Sequence, residues 1–184
     1  MSTGASLREP AAASIAIHAA ICAIAAVFIV AVTAVFVAAM GLGDDARQTL
    51  RFGFGGIAHT PAQVARIALH NAKYASGTLV CAVLAPWLPR VARMLTDYVL
   101  ATMLVLNAGT IGIAFGAYRG RAMLATAPHL PLELAGLSLA GGAYLHACRR
   151  PLRARALIAT SGGCTLLLTG GALIETYVSM PGPR

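Results

Sequence analysis

The run from Ala11 to Met40 constrains this chain more than any other feature, because Ser14, His18 and Thr33 are its only polar side chains. A helix crosses the hydrocarbon core of a bilayer with about 20 mostly apolar residues. The apolar centre of a secretory signal is far shorter, about 7–15 residues. The run therefore predicts a retained membrane anchor, tilted or projecting beyond the bilayer. Composition points the same way. Hydrophobic residues make up 58% of the 184 and charged ones 11%, whereas about a quarter of a soluble domain is charged. So little charge cannot clothe a water-facing surface.

Four more apolar runs follow. The spacing predicts spans at about 11–40, 64–84, 95–118, 128–148 and 156–178, in a single integral membrane domain covering residues 1–184. The second run ends at Pro86-Trp87-Leu88-Pro89, where two prolines stop a helix and a Trp suits the interfacial belt. The third ends at Tyr118-Arg119-Gly120-Arg121, and the fourth lies between Pro128 and Arg149-Arg150. Only helices and closed barrels satisfy every backbone group in lipid. Unbroken runs of this length lack the alternation of barrel strands. The expected fold is an all-α, polytopic transmembrane helical bundle of about five spans. The segment Gly41–Pro61, with Asp44, Asp45, Arg47, Arg51 and the stretch Phe52-Gly53-Phe54-Gly55-Gly56, reads as an interfacial loop or short surface helix. It lacks the companions of a phosphate-binding loop.

Net charge is +8, but the basic residues are spread between apolar runs and form no stripe with interleaved aromatics. That is the pattern of loops between spans, so nucleic acid is not an expected partner; the lipid bilayer is. Arg149, Arg150, Arg153 and Arg155 crowd one very short loop, and Arg90 and Arg93 share its side. Short loops dominate the positive-inside bias. This side is placed in the cytoplasm, with the N-terminus inside and the C-terminus outside a bacterial inner membrane. The four cysteines, Cys22, Cys81, Cys148 and Cys164, form no CxxC pair and are read as small apolar packing residues.

Odd parity has a consequence for the polar residues. Spans two and four start on the side where span five ends, so His70, Asn71, Lys73, His129, Glu133 and Glu175 fall at one depth, bordered by Arg66 and Arg119. A lone charge in lipid is costly, and Lys73 is expected to pair with Glu133 or Glu175; snorkelling of Lys73 to the interface is the alternative. His129 and Glu133 are four apart and share a helical face. The pair is suited to holding a metal or relaying a proton. The simpler reading is structural: Glu133 favours a helix N-terminus, with Pro128 and Pro131 supporting the start. No metal or cofactor is assigned. Asn107, in the third span, is expected to hydrogen-bond across helices. Asp97 is expected to pair with Arg93, and His18 and His146 to be satisfied locally. Small residues mark helix contacts: Ala108, Gly109, Gly112 and Gly116 on the third span, Gly136 and Ala140 on the fourth.

Four blocks carry a family resemblance. They are Asn71 at the head of an apolar helix, Leu106-Asn107-Ala108-Gly109-Thr110-Ile111-Gly112, Pro128-His129-Leu130-Pro131-Leu132-Glu133-Leu134-Ala135-Gly136, and Ala172-Leu173-Ile174-Glu175-Thr176-Tyr177-Val178. In order and spacing they resemble the landmarks of the stage II sporulation protein M family, over roughly residues 60–181. The family's doubled Asn stands as His70-Asn71, its Asn-Gly as Asn107-Ala108 and its Pro-His-Gly as Pro128-His129-Leu130, the pattern of a divergent member. The resemblance implies a multi-span protein without known enzymatic activity. Members in spore formers act with a peptidoglycan-degrading complex, and relatives stand beside secretion, immunity, transporter or ATPase components. Two function classes follow. The first is a non-enzymatic scaffold that recruits other membrane subunits or further copies of itself. The second is a transport, export or immunity component whose polar layer lines a substrate or proton path. No HExxH motif and no GxS nucleophile elbow supports an intramembrane enzyme, and no catalytic residue is assigned.

Overall fold

The computed structural model describes residues 11–51 and 58–179. Within them the chain is all helical: α1 Ala11–Ala39, α2 Gly43–Leu50, α3 Pro61–Leu84, α4 Arg90–Tyr118, α5 Gly120–Thr126, α6 Leu130–Ala147 and α7 Ala154–Ile174. A 3₁₀ turn, Ala85–Trp87, follows α3, and α7 continues into a π turn, Glu175–Ser179. Three of the helices are long and apolar enough to cross a membrane: α1, α4, and α7 with its π turn. At 1.5 Å per residue, the 29 residues of α1 reach about 43 Å.

The boundaries follow from local chemistry. Thr60 is extended and its side chain accepts the Gln63 N–H, with Pro61 opening α3, so this helix starts earlier than residue 64. Pro89 precedes α4 in an extended conformation without a side-chain cap, and the helix begins at Arg90 rather than 95. Trp87 is 74% exposed at the end of α3, as an interfacial anchor should be. The segment after the first span forms the short helix α2. It is tied to α4 through Arg47, which pairs with Asp44 and donates to Ala117 O at 2.6 Å. The aromatic–glycine stretch 52–56 lies outside the described residues.

α6 is the centre of the packing. It touches α1 on one side and α3 and α7 on the other, while α3 and α7 also meet; α4 lies outside α1. Glycines set the close approaches. A Cβ on Gly112 or Gly116 would stand 2.6–2.7 Å from Val30 O and Ala34 O, so α4 runs parallel to α1 with backbone against backbone. Gly142 lies against Ile15 and Ala19 with α6 antiparallel to α1, and Gly136 lies against Leu168 of antiparallel α7. Close packing and interhelical hydrogen bonds hold helices together where lipid supplies no hydrophobic drive. Gly109 is different: nothing stands within 4 Å of its Cβ position. It lies three residues before Gly112, off the stripe that continues every fourth residue to Gly116, and so takes no part in this contact.

These directions put the starts of α1, α4 and α7 and the ends of α3 and α6 at one end of the bundle, the arginine end. Between the two ends lies a closed apolar core of Ile15, Ala75, Leu79, Ala140, Ala143, Cys164 and Leu168. Outside, the helices present large apolar side chains, among them Phe28 at 66% exposure, Leu95 at 61% and Leu166 at 75%. A water-soluble monomer rarely exposes so much contiguous apolar surface, and contact with a lipid bilayer accounts for it.

Candidate functional site

The end opposite Arg149 and Arg150 gathers three ionisable side chains. His129 sits at the N-cap of α6 and is 5% exposed. Glu133, one turn later, is half-buried, and Glu175 opens the π turn that ends α7. One ligand atom from each of the three lies within 4.8 Å of the others. Antiparallel packing of α6 and α7 produces the meeting, and Gly171 permits it: a Cβ there would stand 2.8 Å from Glu133 Cγ. A residue with a side chain at 171 would drive the carboxylate away.

Two neutral groups orient the cluster. Asn71 Nδ2, from α3, donates to Glu133 Oε1 at 2.6 Å. Ser179 Oγ lies 2.9 Å from His129 Nδ1. Beside Glu175, the Thr176 hydroxyl is fully buried with no hydrogen-bond partner among the described residues. A π turn widens the helix by one residue per turn and is a frequent feature of functional sites. Here it carries Glu175, Thr176 and Ser179 together.

Not every residue expected in this layer joins it. Lys73 is exposed, and its Nζ stands 4.9 Å over the Tyr74 ring, which His70 also meets edge-on. It forms no ion pair with Glu133 or Glu175; among the described residues the ion pair found is Arg47–Asp44. The reason is angular. Asn71 takes the face of α3 that looks into the bundle, and Lys73, two residues on, points away from it. Asn107 is exposed on α4 and donates to Met103 O of its own helix at 2.7 Å, not across helices. α4 touches α1 with its glycine face, which leaves Asn107 on the outer side.

The arginine end holds a second polar group. His18 Nδ1 lies 2.7 Å from Ser14 O, and Arg149 Nη1 donates to His18 Nε2 at 2.6 Å. His146 Nδ1 lies 3.0 Å from Ser14 Oγ. His18 is satisfied within α1, as expected, and also meets Arg149, whereas His146 is satisfied across helices, by Ser14 of α1. Asp97 is not paired with Arg93: it accepts from Tyr144 OH at 2.6 Å, while Arg93 Nη2 donates to Ala85 O. Tyr144 is buried on α6 and its hydroxyl reaches Asp97 before the arginine can.

The residues alone mark Gly171 as one of the glycines that thin the fifth span, but not its place beside Glu133, and they give neither Ser179 nor the Tyr144–Asp97 bond. Ser179 and Gly171 each stand four residues from Glu175, one turn along the same face, and that spacing was a usable signal. Tyr144 to Asp97 had none, because it depends on how α4 leans on α6. Comparison with protein-family models, curated proteins and solved structures finds no match to this chain.

Proposed function

We propose that this chain is a five-span, non-enzymatic subunit of a bacterial inner-membrane complex, one that scaffolds or recruits partners in cell-envelope remodelling or secretion. The proposed crossings are α1, α3, α4, α6 and α7. α3 and α6 are not among the three helices whose length and apolar run alone suit a crossing; α6 packs against α1, α3 and α7, and its Ser138 and His146 are buried. The resemblance to the stage II sporulation protein M family supports the subunit reading. So does a single structural observation: the closed apolar core that separates the two polar ends. A conduit needs polar or hydrated groups along its length. This bundle puts Ala140, Ala143 and Leu168 in the middle, each at most 2% exposed.

The runner-up is a transport component, and the half-buried pair Glu133 and Glu175 is the observation in its favour. Glu133→Gln separates the two. A complex that assembles normally but no longer moves its cargo favours the path; failure to assemble favours the scaffold. The crossings are tested by single cysteines placed at 12, 59, 88, 120, 152 and 179 in a variant lacking the four native ones. Alternate accessibility from outside intact cells supports five crossings; sites 59 and 88 on the same side would remove α3 as a span.

A further inference from the structure

We propose that His129, Glu133 and Glu175 form a binding site for one divalent transition-metal ion, zinc being the best fit to the donors. The residue pattern alone assigned no metal, because the third ligand lies on another helix. One imidazole and two carboxylates, from the start of α6 and the π turn after α7, converge within 4.8 Å; imidazole nitrogen and carboxylate oxygen are both zinc ligands, and three protein ligands leave a fourth position open. Three independent features prepare the place. First, the site gathers two carboxylates with no Lys or Arg in ion-pair reach among the described residues. A divalent ion would neutralise both at once, where unpaired charge near lipid is costly. Second, both ends of the His129–Glu133 face are held by neutral partners outside the ligand set: Ser179 on His129 Nδ1 and Asn71 on Glu133 Oε1. Such outer partners typically orient metal ligands. Third, the glycine at 171 keeps open the space that Glu133 occupies. A tetrahedral ion with bonds near 2.1 Å spaces its donors by roughly 3.4 Å, so binding draws the three side chains inward by about 1 Å.

The ion clamps the end of α7 to the start of α6. This inference stands apart from the subunit reading: a scaffold without a metal and a transporter with one are both coherent.

The test uses the full chain purified in mild detergent, stripped with a chelator, then loaded with Zn²⁺ or Co²⁺ and desalted. The expected result is about one Zn²⁺ per chain by elemental analysis, a raised thermal midpoint, and visible Co²⁺ absorption of a four-coordinate site. His129→Ala and Glu175→Gln should each lower retention at least tenfold while eluting as monodisperse protein. His146→Ala, at the other histidine cluster, should retain the ion. Wild-type protein holding no ion overturns the proposal, and this outcome needs no variant to fold. Equal retention by wild type, His129→Ala and Glu175→Gln overturns it as well, as adventitious binding elsewhere.

Discussion

The two ends of this bundle answer the cost of buried polarity in opposite ways. At the arginine end, His18, His146, Arg149, Arg93 and Asp97 each find a different partner, mostly backbone carbonyls, hydroxyls or another ring, and the contacts cross from α1 to α6 and from α4 to α6. At the carboxylate end, two acids and an imidazole face one another, and the hydrogen-bond partners found among the described residues are Asn71 and Ser179. The first arrangement is satisfied by the protein itself except at Arg93 Nε, a buried atom without a partner among the described residues. The second is an acceptor-rich pocket that gains from a cation. Ends that reach bulk water and arginine headgroups can be satisfied piecemeal; a cluster held by helix packing is satisfied as a unit.

The glycines sharpen this contrast most. Gly142, near the arginine end, meets backbone: its Cβ would stand 2.5 Å from Ile15 O and 2.6 Å from Ala19 N. Gly171, at the carboxylate end, meets the flexible stem of Glu133. Gly142→Ala should therefore cost about 3 kcal/mol and Gly171→Ala about 1 kcal/mol, measured by denaturation in mixed micelles. Equal losses would break the comparison.

Asn71→Ala comes next. It removes the amide from Glu133 and leaves the carboxylate without that partner, at about 1–2 kcal/mol. The same thermal or denaturant measurement reads it, and added Zn²⁺ should recover more of the loss than in Tyr144→Phe. That second variant deletes the bond to Asp97 at the other end. Asp97 is exposed and water can replace the hydroxyl, so the expected cost is about 0.6 kcal/mol.

The smallest effect belongs to Asn107→Leu. The side chain is exposed and satisfied by its own helix, so stability should stay within about 0.5 kcal/mol of the parent. A loss of complex formation at unchanged stability, read by crosslinked pull-down, would identify the outer face of α4 as a partner surface.

Helix content and the approximate limits of all five long helices were legible in the chain, because apolar runs and their Pro, Gly and Arg boundaries are local signals. So was the meeting of Asn71, His129, Glu133 and Glu175 at one end of the bundle, since alternating helix directions order residues along the bundle axis. What counting cannot supply is rotation about each helix axis. Lys73 and Asn107 were legible in depth and illegible in direction: one turned to Tyr74 and the other to its own backbone. Gly109 fell with them, three residues off a stripe that repeats every four.

The amino-acid order by itself determined that this chain is helical and apolar enough to seek lipid, roughly where its long helices lie, and which polar groups fall toward the same end of the bundle. The tertiary structure alone decided which of those groups touch. That choice depends on the glycine faces of α4, α6 and α7, which set the rotation and separation of each helix pair and so bring His129, Glu133 and Glu175 together while turning Lys73 away.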